Sequence, residues 1–292
     1  MFGLSNSWFK KEKPVFTGYR MGFGVHITPP RGIGFNIGAQ AVRVVGAFEQ
    51  TFSWNDGDAI TADKSGYYTF RIRGAQGGST GGNGGTTLAE VYMTAGTPLY
   101  VKSIYSNNSP TVGRSGGEGI AITTANSLDP STNRPTTTVI VAGGGGGRSS
   151  NYGGSGGGWT GGSGRGENPG GGAYFVGGAS QQGGGGGSGP GSGSGGVWYG
   201  GQGGGGSQGW GPGGGGGHGW YGGGGAGGDN QNGHGGGGGA SGYISNTLRT
   251  PDTHGHLKVG TASTTTQGGG GQVGENTPQG GATLEIRSAP ID

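Results

Sequence analysis

Between residues 42 and 142, apolar and polar positions alternate in short runs separated by turn-forming clusters, which is the period-two pattern of half-buried β-strands. In "YYTFRIRGA", Tyr68, Phe70 and Ile72 fall on one face while Thr69, Arg71 and Arg73 fall on the other. "AVRVVGAFEQTFSW" predicts one or two strands, and "NDGDAITADKSG" reads as a turn-rich connection. "TTLAEVYMT", "GTPLYVKSIYS", "GIAITTA" and "TTTVIVAG" continue the series, and "GYISN", "HLKVGTA" and "GATLEIRSA" resume it after residue 242. Roughly eight to ten short strands with no helical period predict an all-β sandwich or jelly roll. Residues 1–40 break the pattern, scattering Trp8, Phe9, Phe16, Tyr19, Met21, Phe23, Ile27, Ile33, Phe35 and Ile37 among Gly and Pro. They predict an extended arm that either anchors these aromatics on another protein or folds back on its own sandwich. The expected organisation is an arm at 1–40, a discontinuous sandwich at 41–142 and 243–292, and an insertion at 143–242.

Composition changes the picture in the insertion, where Gly supplies 56 of the 100 residues from 143 to 242. Average usage is about 7% Gly, so a free tract of this kind reads as flexible coil. Ordering it would cost on the order of 100 kcal/mol of conformational entropy, with Gly the worst case. One ordered arrangement offsets that cost. In the polyproline II conformation, about three residues per turn and 3.1 Å per residue, backbone N–H and C=O groups point outward, and chains without Cβ atoms can lie close enough to bond one another. The runs at 143–147, 153–158, 170–172, 183–187, 203–206, 213–217, 222–225 and 235–239 are the candidate rods of such a polyglycine II layer. No sustained Gly-X-Y period is present, which a packed array tolerates and a collagen triple helix does not.

The segments joining these runs carry Tyr152, Trp159, Tyr174, Phe175, Trp198, Tyr199, Trp210, His218, Trp220 and Tyr221. Disordered chains are poor in aromatics, so this set favours an ordered tract. Exposed Trp and Tyr anchor interfaces and stack on sugar rings, which makes all of them except His218 candidate receptor-binding residues. The alternative is that they lie over the rod ends and shield backbone hydrogen bonds from water.

Charge and candidate chemistry narrow the function classes. Seventeen basic against 14 acidic residues, clustered only at "KKEK" (Lys10–Lys13), do not make a nucleic-acid-binding surface. No cysteine is present, which excludes disulfides and thiolate zinc sites. No apolar run approaches the roughly 20 residues of a membrane span, and "MFGLSNSWFKKEKP" lacks the order of a secretory signal, so a soluble chain without general export is expected. The "HGH" of His254–His256 near Asp252 reads as solvated polar residues rather than a metal site, and "NDGD" at Asn55–Asp58 as a turn rather than a calcium loop. Loose phosphate-loop matches lack the Gly-Lys-Ser/Thr that would give them meaning. Neither a catalytic role nor a metal or cofactor is expected, although a pair of glycan-cleaving carboxylates has no sequence signature that would rule it in or out.

In its order of blocks, "GYYTFRIRGAQGGSTGGNGG", "TTLAEVYMTAGTPLYV", "TTVIVAGGGGGRSS", "GGGGGASGYIS" and "GGATLEIRS", the chain resembles the glycine-rich extracellular module of the anaplastic lymphoma kinase and leukocyte tyrosine kinase receptors. That resemblance covers about residues 45–290 and implies a tumour-necrosis-factor-like jelly-roll sandwich carrying inserted polyglycine helices, a fold whose members are often homotrimers. The module's cysteines are missing here, as are a signal peptide, a membrane span and a kinase, so receptor function is not implied. In composition the chain is also similar to the tail-fibre tip adhesins of T-even-like phages, in which loops between stacked polyglycine helices recognise the host. The two resemblances imply a phage virion protein at the particle surface. Its arm would bind other virion proteins, and its aromatic loops would bind a host glycan or outer-membrane protein. The alternative is a capsid decoration or head-fibre component with no receptor role.

Overall fold

The computed structural model describes residues 42–45, 50–78, 81–105, 115–127, 137–149, 152–167, 173–188, 192–203, 213–227, 235–246, 248, 257–260, 263–268 and 282–287. Contacts divide the chain into Met1–Val42 and Arg43–Asp292. The first unit, including the anchoring set Trp8, Phe9, Phe16, Tyr19, Phe23 and Phe35, lies outside the described residues apart from Val42, and so do Trp210, Asp252, His254 and His256.

The fold is all-β. Among the described residues there are fourteen strands and no helix. They are β1 (Val42–Val45), β2 (Gln50–Phe52), β3 (Ala59–Ala62), β4 (Gly66–Arg73), β5 (Thr86–Met93), β6 (Leu99–Ile104) and β7 (Gly119–Thr123). The second half adds β8 (Thr138–Ala142), β9 (Gly164–Glu167), β10 (Ala173–Val176), β11 (Tyr243–Ile244), β12 (Leu257–Val259), β13 (Thr264–Thr266) and β14 (Thr283–Arg287). One sheet has the order β1-β3-β6-β7-β8-β11; the other has β12-β5-β4-β14-β2, with β13 continuing the β12 edge along β5. "AVRVVGAFEQTFSW" therefore supplies strands to both sheets. "NDGDAITADKSG", expected to be a connection, contains β3, because Ile60 is buried and pairs with Leu99.

The predicted alternation places Tyr68, Phe70 and Ile72 of β4 in the core, where Ala89, Val91 and Met93 of β5 and Leu284 and Ile286 of β14 join them. Leu99, Val101, Ile120, Ile122 and Ile140 of the first sheet pack into the same cluster. β7 and β8 are buried along their whole length, which explains why "GIAIT" and "TVIVA" are nearly continuous apolar runs instead of alternating ones.

A glycine-rich layer grows from one end of this sandwich. The chain leaves at Ala142 and returns at Tyr243, yet β8 and β11 are hydrogen-bonded neighbours, so the excursion joins adjacent strands. The β4–β5 connection adds segments 74–78 and 81–85, and the approach to β7 adds 115–118. The layer thus recruits glycines from outside 143–242. Within that tract the interrupted segments 161–164, 177–180, 192–196 and 200–203 take part as well as the runs at 143–147, 153–158, 183–187, 213–217, 222–225 and 235–239, while the expected rods at 170–172 and 204–206 lie outside the described residues; β9 and β10 form a hairpin that the sequence did not suggest.

The hydrogen bonds of the layer repeat every third residue. Gly144 and Gly147 donate to segment 213–219 (His218 and Gly215), Gly145 and Arg148 to segment 74–78 (Ala75 and Gly78), and Gly146 to Gly154. Carbonyls of the same segment accept from three other neighbours: Gly143 and Gly146 from Gly85 and Gly82, Gly144 and Gly147 from Ala240 and Gly237, and Gly145 from Gly117. Segment 235–242 follows the same rule, with Gly237 and Ala240 donating to 143–148, and Gly238 and Ser241 to 221–227. So does 222–227, where Gly222 and Gly225 donate to 192–196, and Gly223 and Ala226 to 213–219. Each of these interior segments is enclosed on all sides by other backbones, which satisfies peptide groups that no side chain reaches. A Cβ at Gly145 would lie inside the Gly82 carbonyl, one at Gly146 inside that of Gly237, and one at Gly216 inside that of Gly223.

Candidate functional site

The segments run alternately away from and back toward the sandwich, so their turns collect at two ends. Segment 143–148 leaves β8 and reaches the far end at Arg148, whereas 235–242 comes back into β11. Arg165 donates its N–H to the Tyr152 carbonyl and accepts from Gly236, which gathers Tyr152, Arg165 and the β9–β10 hairpin at the far end. At the sandwich end, Trp198 N–H donates to Trp220, Gly219 to Trp198, and Trp220 to Ser241. Gly242 donates to Gly158 there, and Gln181 Nε2 donates to the Trp159 carbonyl. Trp159, Trp198, Tyr199, Trp220 and Tyr221 therefore turn next to the sandwich; Tyr152, Tyr174 and Phe175 turn away from it.

The candidate aromatics are thus divided between the two ends of the layer. Trp198 is only 2% exposed and packs with Ile104, Ala121 and Val141 on the outer face of the first sheet. Val197, Tyr199, Trp220 and Tyr243 surround that cluster, half-buried. The Trp220 and Tyr243 rings stack at 3.8 Å with 14° between planes, and His218, fully buried, meets Tyr105 and Tyr199 edge to face. His218 Nδ1 accepts the Gly200 N–H at 2.9 Å. These side chains cover apolar strand surface that faces away from the core, so Trp198 cannot meet an external partner. Trp198 also has φ 74°, a left-handed conformation that costs a non-glycine residue about 1–2 kcal/mol and persists because the surrounding contacts enforce it. Gly157 and Gly158 take the same region at the turn leading to Trp159.

Among the candidate aromatics whose side chains are described, Tyr152, Trp159 and Phe175 are exposed to solvent, the last most of all at 69%. At the far end the Arg148 guanidinium lies 5.5 Å from the Tyr152 ring centroid, a cation–π distance. Across the hairpin, Phe175 is in register with Arg165. The far-end turns thus offer two aromatic side chains with two arginines beside them.

Sequence reasoning did not single out Tyr105, 52% exposed at the end of β6, or Glu118, which faces it across a groove. Glu118 would have stood out only as a lone carboxylate next to a strand. The "NDGD" element is a turn, as expected: Asp58 Oδ2 accepts the Asn55 N–H, Asp58 N–H donates to the Asn55 carbonyl, and Gly57 has φ 84°. Asp56 holds the Lys102 ammonium at 2.8 Å and the Ser103 N–H, so this turn braces β6.

Among the described residues, no group of three or more His, Cys, Asp or Glu is placed to hold a metal ion, and no helix is long and apolar enough to cross a membrane. Compared with family models and with curated proteins, the chain matches none.

Proposed function

We propose that the protein is a phage virion structural protein, a receptor-binding adhesin at a tail or fibre tip, in which a polyglycine II layer on a tumour-necrosis-factor-like jelly roll presents turns to the host surface. The observation that carries this reading is the period-three hydrogen bonding. A lattice held mainly by glycine backbone bonds needs no side chains from the far-end turns, so those turns can serve recognition while the sandwich-end turns serve folding. Recognition then rests on Tyr152 and Phe175 with Arg148 and Arg165 beside them, together with Tyr174 and Trp210. Aromatic and arginine side chains suit a host glycan or an outer-membrane protein. The arm at 1–40 attaches the protein to other virion components, possession of a homotrimeric form follows the resemblance alone, and neither a catalytic activity nor a cofactor belongs to this reading.

The second reading, a capsid decoration or head-fibre component, draws support from the inward packing of Trp198, Tyr199 and Trp220, which gives those aromatics a structural use. Adsorption separates the two. Phage carrying Tyr152→Ala together with Phe175→Ala should assemble normally and adsorb at least tenfold more slowly, as scored by unadsorbed titre. Unchanged adsorption by intact particles would favour the decoration reading.

A further inference from the structure

Where β6 leaves the first sheet, Tyr105 and Ser103 face segments 74–78 and 115–118 across an open groove of about 330 Å³. Its polar walls are already fixed. Ser103 Oγ donates to Glu118 Oε1 at 2.5 Å, the Ala282 N–H donates to Glu118 Oε2, and Gln76 Nε2 donates to the Gly81 carbonyl. The Tyr105 ring meets His218 at 5.6 Å and 71°, which orients it while about half of the residue stays exposed.

We propose that this groove is a subsite for a small neutral saccharide. A sugar ring has one apolar C–H face and a rim of hydroxyls, and it needs an aromatic platform with hydrogen-bond acceptors at its border. Tyr105 supplies the platform. Each Glu118 oxygen can accept more than the one hydrogen bond it has here, and the Ser103 hydroxyl oxygen can accept as well. The volume falls at the lower end of small-molecule pockets, about 300–1,000 Å³, and suits one or two rings. The Glu118 carboxylate in the groove wall disfavours an acidic sugar by like-charge repulsion. None of these residues belongs to the far-end turns, so binding here is independent of adsorption through Tyr152 and Phe175.

The test is saturation-transfer NMR on the full chain with glucose, galactose, mannose, N-acetylglucosamine and N-acetylneuraminic acid at millimolar concentration. At least one neutral sugar should receive saturation on its ring protons, with a dissociation constant in the millimolar range. Tyr105→Ala should weaken that binding at least tenfold, and Tyr105→Phe, which keeps the platform, should change it less than threefold. Both variants replace a half-exposed side chain, and unchanged thermal melting confirms their folding. Absence of transfer to every neutral sugar, preference for N-acetylneuraminic acid, or undiminished binding by folded Tyr105→Ala would overturn the proposal.

Discussion

Gly145→Ala should prevent the protein from reaching its native state. The added methyl would have to occupy the Gly82 carbonyl, with the Asn83 carbonyl close behind, and both are backbone atoms that no rotamer change can move aside. Gly145 also donates to Ala75 and accepts from Gly117, so any shift that makes room lengthens bonds to two neighbouring segments at once. Overpacking a hydrocarbon core costs about 1–3 kcal/mol because side chains readjust. Here the neighbours are peptide groups in a shared lattice, and the loss should approach the roughly 5–15 kcal/mol that hold a whole domain together. Gly186→Ala is the matching control, because a Cβ there meets nothing within 4 Å. It should be neutral, or stabilising by about 0.4–1 kcal/mol through reduced freedom of the unfolded chain. Soluble yield and the urea midpoint measure both, and equal behaviour of the two variants would contradict close backbone packing at Gly145.

Trp198→Ala should destabilise by about 3–5 kcal/mol, the usual cost of removing a large buried aromatic. The loss falls on Ile104, Ala121 and Val141, whose outward faces would then be open to water. The backbone adds a distinguishing signature. Alanine keeps the left-handed strain of φ 74° that tryptophan bears, whereas glycine does not. Trp198→Gly should therefore be no less stable than Trp198→Ala, and more stable by about 1 kcal/mol once its strain is relieved. At an ordinary position the order would be reversed, so urea denaturation of the two variants tests the packing and the backbone conformation together.

The strands were legible because burial on one face writes a period of two into the sequence, as at Tyr68, Phe70 and Ile72. β3 was hidden because "AITA" stands between Asp58 and Asp63, residues that signal turns whether or not a strand lies between them. β9 and β10 were hidden for a different reason: "GRGE" and "AYFV" are short, and their pairing depends on the lattice beside them. Glycine runs indicated where backbone could approach backbone, but not that 74–85 and 115–118 would join, since the rule for joining is spatial. The destination of each aromatic was the least legible feature. Trp198 and Phe175 both sit beside another aromatic between glycine segments, yet one is sealed against a sheet and the other is open to solvent. What separates them is the number of passes the chain has made across the layer, and no local pattern records that number.

The period-three bonding also constrains how this protein can vary by insertion and deletion. Adding one residue inside segment 143–148 would direct every later N–H to the wrong neighbour, while adding three would restore the directions. Tyr152, Arg165 and Gly236 at the far end are themselves bonded in register, so that constraint extends to them. Length changes should therefore be tolerated best in connections outside the bonded segments and the β9–β10 pairing, and only in units of three inside the layer. A lineage under pressure to alter its outer surface has, in this architecture, a set of sites where residues can be gained or lost without re-solving the fold.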